Sequence, residues 1–161
     1  MNAPHWHLAI NHLPVVGVFL VVLLLAYALA RGHGELYGVS LGALVLLALA
    51  TVPVFFTGRS ADEVLMELPD VDDKLIHIHE AAANLAFIGI GVLGVVALAG
   101  LWFGRKMPHV PRGLAAAVFI LALIETALLA RTANVGGQIR HPEIRPAGAA
   151  GTAPSAKGGH E

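Results

Sequence analysis

Cysteine is absent from this chain, which at one stroke excludes disulfides, thiolate metal centres and cysteine-ligated iron–sulfur clusters. Charge is scarce too: 13% of residues are Asp, Glu, Lys or Arg, about half the share of an ordinary soluble domain, against 57% hydrophobic. A nucleic-acid surface needs a dense basic patch, and a formal net charge of -1 dispersed over loops supplies none, so no nucleic-acid partner is expected. A basic leader is also missing. Met1-Asn2-Ala3-Pro4-His5-Trp6-His7 lacks the n-region of a cleavable signal, so the first apolar span is expected to stay with the protein.

What is present is apolar and comes in runs. Mean hydropathy is +0.73, and spans can be marked from His12 to Ala30, Leu36 to Phe56, Ile78 to Phe103 and Gly113 to Asn134. Each is near the ~20 residues that a ~30 Å hydrocarbon layer requires. The spacing predicts an all-α fold, an integral membrane four-helix up-and-down bundle over residues 1–145, with a flexible Gly/Ala/Pro-rich tail over 146–161. The lipid bilayer is its first expected partner. Gly89-Ile90-Gly91-Val92-Leu93-Gly94 matches a dinucleotide-binding pattern in letters only, because it lies inside an apolar helix where glycines serve close helix contact.

The longest connection, residues 58–77, has its own pattern. The second span is expected to end at Thr57-Gly58. Ser60-Ala61-Asp62-Glu63 then reads as a capping box, predicting a separate short amphipathic helix that stops at Pro69, and Asp72 or Asp73 is placed to cap the third span. Of the six carboxylates here, Asp62, Asp70, Asp72 and Asp73 read as solvated surface, whereas Glu63 and Glu67, four apart, share a helical face and are candidate ligands.

Antiparallel threading gathers His5, His7, His12, His77, His79 and His141 on one membrane face and leaves His33 and His109 on the other. Composition does not require such clustering, and imidazole is a ligand for haem and for several metals. His79 shares its helical face with Ala82, Ala83 and Ala86, small side chains that leave room for a flat group. Arg31, Arg105, Lys106 and Arg112 crowd the opposite loops, so the histidine face, with the N- and C-termini, is expected to be periplasmic or external. Glu125 falls near the middle of the fourth span. It is a candidate for a proton path or a quinone headgroup, or a structural acid bonded to Thr51 or Tyr27.

His7-Leu8-Ala9-Ile10-Asn11-His12-Leu13-Pro14, Gly58 with Ala61-Asp62-Glu63 and Glu67-Leu68-Pro69, His79-Glu80, and Gly136-Gly137 followed by His141 together resemble a widespread family of small four-helix bacterial membrane proteins. The resemblance covers the chain to about residue 145. It implies a multi-pass protein of the bacterial inner membrane, and the family carries no assigned reaction. Leu8 departs from it, since many members have proline after the first histidine.

Three functions follow. The first is a membrane electron-transfer subunit holding haem b between His12 and His79, with Arg59 or Arg140 for the propionates and Glu80 or Asn84 tuning an imidazole, in a larger redox complex or a homo-oligomer. The second is a non-haem site for zinc, iron or copper built from His7, His12, His79, Glu80, His141, Glu63 and Glu67. The third is a cofactor-free structural or assembly subunit of a membrane complex. A freestanding hydrolase is disfavoured, because Ser40 and Ser60 have no neighbouring base and orienting acid. Four spans are also few for a transporter.

Overall fold

The computed structural model describes residues 3–67 and 72–145. A short helix α1 (Ala3–Ile10) turns at Asn11 into α2 (His12–Arg31); α3 (Gly34–Met66), α4 (Asp73–Gly104) and α5 (Arg112–Arg140) follow, and a single 3-10 turn (Pro142–Ile144) closes the described chain. Gly32 adopts φ 72° at the end of α2, a left-handed conformation that a side chain resists. There the chain reverses into α3 after only two residues. Asp72 caps α4, its side chain accepting from the Lys74 backbone N–H at 3.0 Å, in line with the expected capping role.

The helices pack in a ring in which α2 meets α3 and α5, and α4 meets α3 and α5, with α3 and α5 touching across the diagonal. Pro4–Arg31, Gly34–Met66, Asp73–Gly104 and Arg112–Arg140 are all long and apolar enough to cross a membrane. Their outward faces carry large apolar side chains such as Phe19, Leu46, Ile88 and Ile120, which suit a lipid environment. The architecture is that of a multi-pass membrane protein built as a four-helix bundle.

One local expectation is corrected. The second span does not end at Thr57-Gly58 and no separate helix starts at Ser60: α3 runs unbroken through Pro53 and the would-be capping box to Met66. The Ser60 hydroxyl donates back to the Phe56 carbonyl at 3.3 Å, an i−4 bond inside a helix rather than a cap. Its 33 residues extend about 50 Å at 1.5 Å per residue, well beyond a ~30 Å hydrocarbon layer, so its last turns carry polar residues past the apolar zone. The expected stop at Pro69 and the tail over 146–161 lie outside the described residues.

The bundle is an internal repeat. Adding 72 to the buried positions of α2, namely Pro14, Val18, Val21, Val22, Leu25 and Ala28, gives Ala86, Ile90, Leu93, Gly94, Ala97 and Gly100, all buried in α4. Adding 78 to Tyr37, Ser40, Leu44, Thr51 and Ala61 of α3 gives Ala115, Val118, Ala122, Leu129 and Ile139, all buried in α5. Two helical hairpins therefore bury the same register with different side chains. The matching registers and the ring of helix contacts are those that a two-fold rotation about the bundle axis, exchanging α2 with α4 and α3 with α5, would produce.

Candidate functional site: twin histidine sockets

His7 and His79 are equivalent under that rotation, and their surroundings repeat. The His7 ring on α1 lies over Gly58 of α3, where an added methyl would sit 2.9 Å from the imidazole. Its Nδ1 is 3.0 Å from the carbonyl oxygen of Val54, four residues before that glycine. The His79 ring on α4 lies over Gly136 of α5, again with 2.9 Å to a notional methyl, and its Nδ1 is 3.1 Å from the carbonyl oxygen of Thr132, four residues before Gly136. A carbonyl only accepts, so each Nδ1 is the protonated nitrogen. Each half-buried ring is thereby fixed in the tautomer that leaves the Nε2 lone pair for a ligand.

The two imidazoles are close enough to interact electrostatically, and both feel a carboxylate: Asp62 acts on His7, and Glu80 on His79 and on Asp62. Asp62 is buried in the last turns of α3, with Arg59 also acting on it. At the α1–α2 turn, one helical turn after His7, the Asn11 side-chain oxygen is buried without a partner.

The other expected site residues are placed as follows. His12, at the first position of α2, is exposed, whereas His7 and His79 are half-buried and close enough to interact electrostatically. Glu63 on α3 and Glu67 just past its end are exposed, and it is Asp62 that turns inward. His141 is exposed and bonded to Glu143 at 2.9 Å. Glu143 lies beyond the helices, its carboxyl held below its ordinary value by its own backbone N–H and then by His141. Glu80 is half-buried and meets the exposed His77 at 3.2 Å. Asn84 is exposed, and it is the Thr132 carbonyl that holds the His79 Nδ1. Arg59 and Arg140 are exposed at the same end of the bundle. Among the described residues no group of three or more histidines and carboxylates is arranged to hold a metal ion. Glu125 is buried, with neither Thr51 nor Tyr27 as a partner: Thr51 donates to the Leu47 carbonyl at 2.7 Å and Tyr27 stacks on His33.

Asp62, Asn11 and the glycine beneath each imidazole carried no functional weight in the sequence reading. The signal was there as spacing, since Val54, Gly58 and Asp62 recur every four residues, but it is visible only once α3 is known not to stop at Gly58. Comparison with family models, with curated proteins and with solved structures finds no match to this chain.

Proposed function

We propose that the chain is a membrane-embedded electron-transfer protein that binds one b-type haem between His7 and His79. The observation that carries this reading is the duplicated socket. His7 and His79 would hold such a haem, one imidazole from each hairpin, each bonded to a backbone carbonyl and seated on a glycine. When bound, such a haem supplies reversible one-electron exchange. The chain's own parts have distinct tasks: Val54 and Thr132 fix the tautomers, Gly58 and Gly136 make room for the rings, and Arg59 and Arg140 are cations available to propionates. The opposite end is basic, with Arg105 lying 3.6 Å over the Trp102 ring and Arg112 donating to the Leu29 carbonyl. Those basic residues support an orientation with the histidine end outside the bacterial inner membrane, where electrons from a membrane quinol or enzyme would pass to an external acceptor.

The buried Asp62, which acts electrostatically on His7, motivates one other reading, a divalent zinc, iron or copper ion toward which His7, His79 and Asp62 would have to draw together, since they do not form a ready-made ligand set. A reduced-minus-oxidised visible spectrum of the detergent-purified protein, paired with elemental analysis, separates the two. A b-type absorption lost in His7→Ala and in His79→Ala but kept in His12→Ala is the expected result. A stoichiometric metal without that absorption, lost in Asp62→Ala, transfers the site to the second reading. Neither signal in protein taken from its native membrane rejects both, and leaves the assembly-subunit alternative.

A further inference from the structure

Glu125 stands apart from the histidine site. Among the described residues the buried polar side chains are Ser40, Thr51, Asp62 and Glu125. The two hydroxyls donate to carbonyls of their own helix, and Asp62 sits at the histidine end. Glu125 is 2% exposed, and both its carboxyl oxygens are buried without a partner. It lies one residue from the midpoint of α5 and points into a notch over Gly89, close to the midpoint of α4; any side chain at 89 would collide with its Oε2.

The repeat supplies an internal control. Gly89 follows His79 by ten residues as Gly17 follows His7, and Glu125 precedes Thr132 by seven as Leu47 precedes Val54. In the first hairpin Leu47 fills the Gly17 notch as Glu125 fills that of Gly89. A leucine therefore satisfies the packing at this position, and a carboxyl with no hydrogen bond is the costlier choice. Packing does not account for the acid.

We propose that Glu125 is an intramembrane proton-binding site, a carboxyl that takes up and releases one proton within the apolar middle of the bundle. A proton fits better than a metal cation, because a cation needs several ligands, and among the described residues no group of three or more histidines and carboxylates is arranged to hold one. Among the described residues no hydrogen bond reaches either Glu125 carboxyl oxygen. On the helices packed around it, the titratable side chains stand toward the ends: His79 and Glu80 on α4, about 15 Å along the helix from Gly89, Asp62, Glu35 and Tyr37 on α3, and His12 and Tyr27 on α2. An ionised carboxylate at that depth is expensive, so the proton is the ligand the site holds.

The test is reaction of the full chain in lipid vesicles with dicyclohexylcarbodiimide, which enters bilayers and attacks protonated carboxyls. The acid oxygen bonds to the carbodiimide carbon, the acid proton passes to a nitrogen, and rearrangement leaves a stable N-acylurea with no electron transferred. Peptide mapping of the wild-type protein should place one adduct on Glu125, with labelling slowing as pH is raised, and Glu125→Gln and Glu125→Leu should lose it. Labelling elsewhere but not at Glu125, or labelling of Glu125 at a rate indifferent to pH, overturns the proposal. Mapping the wild-type adduct keeps the result readable should a variant fold poorly. The reaction uses no haem, so it stands or falls separately from the electron-transfer reading.

Discussion

Gly58 and Gly136 set how far an imidazole can approach its helix. A methyl at either would lie 2.9 Å from a ring carbon, nearer than van der Waals contact allows, so the ring must tilt and its Nδ1 bond must lengthen. Gly58→Ala and Gly136→Ala are expected to weaken cofactor binding by about 10- to 100-fold each, as loss of an orienting hydrogen bond typically does. Titration of the apoprotein with haem checks this, the two variants behaving alike because their sockets are alike. At this scale the sequence is only partly legible. Histidines clustered on one face can be counted from topology, but which of them are held depends on the carbonyl and glycine opposite each, and the carbonyls lie 47 and 53 residues away in the chain. His12 and His7 are both imidazoles at the mouth of the first span, but the backbone stays helical through Asn11, so five residues at ~100° each turn His12 outward while His7 faces α3.

The length of α3 decides what its last turns can do. Had a new helix begun after Ser60, Ala61 would be its first residue, a position where proline is well tolerated. Within a continuous helix the same substitution removes a hydrogen bond and clashes with the preceding turn, at about 3 kcal/mol or more. Ala61→Pro is accordingly expected to lower thermal stability markedly in detergent, read by circular dichroism, and to shift the neighbouring Asp62 away from His7. A melting temperature within a degree or so of the wild type would contradict an unbroken α3. The spans were legible because apolar runs and short loops leave few alternatives. The join between span and loop was not: a capping box and an N-terminal turn look identical when the preceding helix simply carries on.

As a whole molecule the protein is two hairpins sharing one buried register, and each contributes one of the paired histidines. Co-expressed halves divided between Glu67 and Asp72 are expected to reassociate in the membrane and recover cofactor binding, while either half expressed alone binds none; co-purification with a visible spectrum measures both. This level was hidden in the sequence because the hairpins share positions rather than residues: Val18 answers to Ile90, Tyr37 to Ala115 and Leu47 to Glu125. The division also dictates an order of events during synthesis. A chain inserted from its N-terminus completes the His7 socket when α3 arrives, but the His79 socket lacks its glycine and its carbonyl until α5 has entered the bilayer. The two sockets therefore coexist only once both hairpins are inserted, and a chain stalled before α5 cannot display them together. In a growing cell, the pair is a built-in report that the second hairpin has closed.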